Sequence, residues 1–182
     1  MVSTARRRLR LASMPVTRMN HAVLYVRNVA RTVAFYQEVL GFKVVHELAG
    51  QAAFLQAPGS TNDHDLGVFQ IGPEAGPSTA GRSTVGLYHI AWEVDTLDEL
   101  QRLAGRLSEA GSLVGASDHG TTKALYAHDP DGLEFEVCWI VPADRLPVES
   151  GPLTRPLDLA AEIERHGGST RGGIGVSIPA GA

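Results

Sequence analysis

A single cysteine, Cys138, stands in a chain of 182 residues. It excludes an intramolecular disulfide framework and fits a reducing compartment. No apolar run approaches the roughly 20 residues that a membrane-spanning helix needs. The short apolar stretch in LRLASMPV, which follows the basic ARRRLR, is broken by Pro15 and does not read as a secretory signal. Positive charge is also in deficit: 16 Lys and Arg face 20 Asp and Glu, for a net charge of -4. That leaves no electrostatic footprint for nucleic acid. These absences imply a cytoplasmic protein with no membrane and no nucleic-acid partner. At 43% hydrophobic residues the chain has enough apolar mass to bury a core.

What the chain does have is a repeat. NHAVLYV at residues 20–26 and YHIAWEV at residues 88–94 share one pattern, each with a histidine in second place, His21 and His89. Each is followed by a helix-like run, VARTVAFYQEVL or TLDELQRLAGRLSEA, and then by strand-like segments. Duplication of one unit accounts for both halves. Alternation along a strand puts His21, Val23 and Tyr25 on one face and His89, Ala91 and Glu93 on the matching face of the second copy.

The organisation follows from turn and cap signals. Residues 1–18 lack apolar periodicity and read as a flexible arm, within which Met14 is an alternative start. Residues 19–71 form a first module: a strand at 19–26, a helix at 29–40 stopped by Gly41, and strands near 42–48, 51–57 and 65–71. The segment 72–84, GPEAGPSTAGRST, is a linker. Residues 85–141 repeat the order with a strand at 85–94, a helix at 97–110 and strands near 112–117, 122–127 and 133–140. The turn DPDG joins the last two as a hairpin. Residues 142–182 are an extension with one short helix in PLDLAAEIERH and a loose, glycine-rich tail. The expected fold is α+β: two paired βαβββ modules forming a cup-shaped mixed β-sheet around a metal site.

Two imidazoles directed into one cup call for a carboxylate to complete a metal site. The last strand, LEFEVCW, carries Glu134 and Glu136 on one face, and Glu136 lies 47 residues after His89. The same separation from His21 lands on Val68, which has no donor. Duplication therefore supplies three ligands, His21, His89 and Glu136. Two histidines and one carboxylate with open positions match the ligand pattern of non-haem Fe(II) oxygenases. Gln70, two residues from Val68, is a candidate fourth ligand. Cys138 shares the face of Glu136 and reads as packing, while His46, His128 and His166 read as solvated.

MNHAVLYVRNVARTVAFYQEVLGFKVV, LYHIAWEV and HDPDGLEFEV resemble the two halves of vicinal oxygen chelate proteins, the superfamily of glyoxalase I, fosfomycin and bleomycin resistance proteins and extradiol dioxygenases. The resemblance spans residues 19–141. NDHDLGVF, DHGTTKALYAHDPDG and the trailing PLDL are most similar to catechol 2,3-dioxygenase-like proteins. The chain departs from the larger two-domain dioxygenases in having one pair of modules, and its interval from His119 to Tyr126 is shorter.

The resemblance implies an Fe(II) extradiol dioxygenase that takes a small aromatic diol and dioxygen and works as a homodimer. It places His64 as an acid/base residue, a role that suits imidazole because it titrates near neutral pH. Shared parity with Leu66 and Val68 directs His64 into the same cup. It also implies that Tyr126 lies near the metal-bound oxygens, and it leaves His119 as either a substrate contact or a turn cap. Two other classes stay open. One is a glyoxalase-type isomerase or lyase using Mn(II), Zn(II) or Ni(II), for which Gln70 would matter; the other is a small-molecule-binding resistance module.

Overall fold

Asparagine at position 28 starts the first helix by accepting the Arg31 N–H at 2.9 Å, and Gly41, at φ +77°, ends it in the left-handed region that a side chain rarely adopts. A computed structural model describes residues 18–81, 83–146 and 154–173. Most of the expected N-terminal arm, with Met14, lies outside the described residues. The helix between these caps, α1 (Val29–Leu40), buries Val29, Thr32, Tyr36 and Val39 along one stripe. Its counterpart α2 (Leu97–Glu109) is capped by Thr96, carries Asp98 and Glu99 in its first turn and buries Leu97, Leu100, Leu103 and Leu107. Each of those leucines contributes about 1.5–3 kcal/mol by leaving water.

The strands form two mixed sheets. In the first, β1 (Ala22–Val26), β2 (Lys43–Leu48), β3 (Ala52–Gln56) and β4 (Leu66–Gln70) are ordered β1-β4-β3-β2. In the second, β5 (Ile90–Glu93), β6 (Leu113–Asp118), β7 (Thr122–His128), β8 (Glu134–Ile140) and β9 (Arg155–Pro156) are ordered β5-β8-β7-β6-β9. Each module thus has its first strand parallel to its last, with hairpins completing the sheet. The expected βαβββ units are present as α+β architecture, arranged in two separate sheets. Residues 85–89 precede β5, so His89 sits at the strand entrance rather than within it.

Each sheet packs its helix against one face and leaves the other for polar and exposed groups. Leu24 and Val26 are buried, whereas Val23 and Tyr25, which alternate with them, are exposed. Two apolar clusters result, and Phe35, Leu40 and Trp92 pack against both. Phe35 meets Phe135 edge-on at 6.0 Å and Phe42 meets Trp92 at 5.1 Å, contacts that join the modules on their helix sides. At the surface, the Arg27 backbone N–H donates to Asp131 at 2.8 Å and its guanidinium pairs with the same carboxylate, so the DPDG turn holds the end of β1.

The C-terminal extension contains α3 (Leu159–His166), capped by Asp158, as the sequence implies. Strand β9 and a 3-10 turn at Ala143–Arg145 carry no sequence signal. Residues 167–173, expected to be loose, are docked: the Trp139 indole N–H donates to the Thr170 carbonyl at 3.1 Å and the Gly172 N–H to the Asp95 carbonyl at 2.9 Å. The tail beyond residue 173 lies outside the described residues.

Candidate metal centre

The register of the second sheet places Ala91 opposite Glu136, and two residues earlier His89, immediately before β5, lies on the same face, away from α2. The His89 Nε2 lies 3.3 Å from a Glu136 carboxylate oxygen, and its Nδ1 lies 3.6 Å from Glu134. Among the described residues neither His89 Nδ1 nor the facing Glu134 oxygen has a hydrogen-bond partner, although both are buried. Buried polar atoms left at that separation carry a desolvation cost, which tightening of the pair or a cation beside it offsets. With a proton on Nδ1 shared toward Glu134, Nε2 keeps its lone pair beside Glu136. That is the donor chemistry of a divalent metal ligand pair, with Glu134 in the position of a carboxylate that orients a ligating histidine. Sequence reasoning placed Glu134 on the right face and gave it no role; its parity with Glu136 was the available signal.

Across the β7–β8 hairpin, Tyr126 pairs with Glu136, and its ring lies 5.8 Å from that of His89. Burial, reinforced by the Glu136 charge, pushes the Tyr126 phenol up to about 12. The phenol therefore stays protonated through neutral pH. His119 does more than follow a strand: its Nε2 is 2.8 Å from the Tyr126 hydroxyl, and its Nδ1 faces Thr154 Oγ1 at 3.4 Å. Burial likewise pushes the Cys138 thiol up to about 12, which leaves it an inert packing group.

In the first module His21 and His64 come together, with ring centroids 4.4 Å apart. The loop that carries His64 is built around Asp65, which accepts from the Ala57 N–H at 2.8 Å, Ser60 Oγ at 2.8 Å and Asn62 Nδ2 at 2.7 Å. The Asn62 amide also donates to the Asn20 carbonyl at 2.9 Å, tying the loop to the entrance of β1. His64 reaches His21 through this tie and rests edge-on against Phe54 at 5.2 Å.

Three expectations need correction here. Val68 pairs with Leu24 and is wholly buried on the helix face, so it does not mark the empty ligand position. Gly67 does, since it lies opposite Val23, the counterpart of Ala91; the first module is one residue shorter over this interval. Gln70 is turned toward α1, where its side-chain oxygen accepts the Val29 N–H at 3.1 Å, and is not a fourth ligand. His166 is not solvated: its side chain is 8% exposed, its ring tilted against Trp139 at 5.3 Å and its Nε2 3.3 Å from Glu162.

The two half-sites remain distinct. Among the described residues, no group of three His, Cys, Asp or Glu side chains is gathered closely enough to hold a metal. His89 and Glu136 fit as two ligands; His21 faces His64 on the other sheet.

Two βαβββ units, each with a histidine immediately before its first strand, define a duplicated α+β protein with polar sites on the sheet faces away from its helices. The chain belongs to the Glyoxalase/Bleomycin resistance protein/Dioxygenase superfamily, whose model matches residues 18–137. Catechol-2,3-dioxygenase of Bacillus subtilis is 36% identical over 121 residues, 66% of this chain and 41% of the relative. Biphenyl-2,3-diol 1,2-dioxygenase 3 of Rhodococcus globerulus is 34% identical over 128 residues, 68% of this chain and 64% of the relative. The chain therefore spans well under the full length of both dioxygenases. A glyoxylase/bleomycin resistance protein/dioxygenase domain from Frankia superposes with a TM-score of 0.60, covering 71% of this chain and 96% of that one at 20% identity, a likeness of fold alone. No helix among the described residues is long and apolar enough to cross a membrane.

Proposed function

We propose that this chain is an extradiol dioxygenase that opens a catechol-like vicinal diol with dioxygen, using Fe(II) held by His89, Glu136 and His21. The observation that carries the reading is His89 set between two carboxylates, with Tyr126 and His119 beside it. The two dioxygenase relatives support it. The Gln70 side chain is engaged by the Val29 N–H at the start of α1, which takes away the fourth donor on which a glyoxalase-type site would draw.

His89, Glu136 and His21 would hold the Fe(II), which would supply a Lewis-acidic centre for the diol and a path for electrons to dioxygen. His64 accepts a hydroxyl proton from the diol: Asp63 lies 3.1 Å from its Nδ1, which leaves Nε2 as the basic atom. Tyr126 donates a hydrogen bond to a substrate oxygen, since its raised pKa keeps the phenol intact. His119 positions Tyr126, held in turn by Thr154.

The homodimer belongs to the same reading. Val23 and Tyr25 near His21, and Leu87 and Tyr88 near His89, are exposed large residues that a second copy would cover. That copy would bring His21 to the His89–Glu136 pair. Oxygen uptake and absorbance of a yellow ring-opened product, across a panel of diols with Fe(II)-loaded protein, test the activity. Isomerisation of a thiol hemithioacetal with no diol consuming oxygen would replace this reading with the glyoxalase-type one.

A further inference from the structure

Lys123 is one of two lysines in the chain and is 2% exposed, on the helix face of β7. Its ammonium pairs with Asp118 and lies 3.0 Å from Glu162 on α3. Around it the C-terminal extension brings three arginines and a histidine. Arg155 pairs with Asp118 at 3.0 Å, Arg165 approaches Glu162 at 3.5 Å, and Arg145 donates to the His166 carbonyl and to Thr170 Oγ1 at 3.1 Å. Between them is a cavity of about 430 Å³ lined by Gly120, Lys123, Arg145, Arg155, Arg165 and His166.

No carboxylate among the described residues lines that cavity. Asp118 and Glu162 pair with its cations without lining it, and two carboxylates cannot neutralise four permanent cations. The excess is conspicuous in a chain whose net charge is -4. Its effect is visible at His166: burial, together with Lys123, Arg165 and Arg145, holds the imidazole below its ordinary value despite Glu162. The guanidinium groups are already anchored on one side by carboxylate or carbonyl, so the N–H groups left over are oriented before a ligand arrives. A planar fork of that kind suits the oxygens of phosphate.

We propose that this cavity binds a tetrahedral oxyanion of charge -2, either free or as the phosphate group of a small metabolite. Its volume is that of a small-molecule site. Arg145, Arg155, Arg165 and His166 lie beyond the 18–137 family match, whereas Gly120 and Lys123 lie within it, so the site joins the C-terminal extension to the second module. It also adjoins the candidate centre. Arg155 follows Thr154, which contacts His119, and Gly120 follows His119 directly, so occupancy is coupled to the residue that positions Tyr126.

The test is calorimetric titration of the full-length protein with inorganic phosphate, glycerol phosphate and chloride at matched ionic strength, with His166 followed by NMR. One saturable phosphate site per chain is expected, with the His166 pKa rising on occupancy. Arg145→Gln and Arg165→Gln, both at exposed side chains, should each weaken binding about tenfold. Arg31→Gln, on α1, should leave it unchanged. Tighter binding of the ester than of phosphate identifies a metabolite group, and equal binding identifies the free anion. Phosphate binding no tighter than chloride, or unaltered in both arginine variants, overturns the proposal.

Discussion

His89 presents one ring nitrogen to each of two carboxylates from the same strand: Nε2 to Glu136 at 3.3 Å and Nδ1 to Glu134 at 3.6 Å. A metal takes only one of those nitrogens, so the carboxylates have different tasks. Glu136→Ala should abolish metal uptake because a ligand is lost. Glu134→Ala should weaken metal affinity by about 10–100-fold, the usual effect of losing a partner that orients a ligand. Glu134→Gln, which can still accept from Nδ1, should recover most of it. Competition with a metal-sensitive dye measures all three, and full affinity in Glu134→Ala would assign Glu134 no part in the site.

His64 should separate proton transfer from metal holding. It stacks on His21 at 4.4 Å but belongs to the Asp65-centred loop rather than to the proposed ligand set. His64→Ala should therefore keep its iron and lose about a hundredfold to ten-thousandfold in turnover. Metal content and oxygen uptake on the same sample decide it, and an unchanged rate would remove the acid/base role.

Lys123 should be the costliest single charge to delete. Truncation to alanine leaves Asp118 and Glu162 buried without their shared cation, a loss of roughly 3–5 kcal/mol for a pair at this depth. Urea unfolding measures it. Burial would raise the Asp118 carboxyl, but Lys123, the Gly120 N–H and Arg155 outweigh it and hold the group below its ordinary value. Above the unfolded value that preference is fully present, and it is lost as the pH falls through the folded one.

A milder acid response should come first, from α3. The His166 imidazole is held below its ordinary value of 6.5, chiefly by burial. Its contribution is complete above that pH and declines as the pH falls toward the lower, folded value, because the unfolded chain binds the proton more readily. Amide exchange in residues 159–166, corrected for intrinsic rates, should accelerate between pH 7 and 5.5 in about the range where free imidazole titrates. Protection unchanged over that range would mean His166 does not govern the docking of the helix.

The helices and strands were legible because their punctuation is local. Asn28, Gly41, Thr96 and Asp158 act at their own positions, and α1 spans the expected residues. Register was less so. Carrying the His89–Glu136 interval back to His21 assumed modules of equal length, and a one-residue difference moves the matching position from Val68 to Gly67, on the opposite face. Gln70 and His166 were misplaced for another reason: their partners, the α1 N-terminus and the Trp139–Glu162 pocket, are assembled by tertiary packing. His64 meets His21 because Asn62 and Asp65 set its loop, and parity with the buried Val68 does not account for that contact.

The separation of His21 from the His89–Glu136 pair makes a mixing experiment decisive. If two copies share each centre, His21→Ala and Glu136→Ala homodimers are both inactive. Exchange of subunits then gives mixed dimers in which one centre combines both defects and the other combines neither. At equal proportions half of the dimers are mixed, so about a quarter of all centres become intact, following from the twofold symmetry of such an interface. Metal binding and oxygen uptake should both recover to about that fraction after mild dissociation and reassociation. Light scattering should show a species of twice the 19.4 kDa chain mass before and after. A monomer, or a dimer whose mixture stays inactive while each variant refolds normally, would place all three ligands within one chain and require its two sheets to close on the metal.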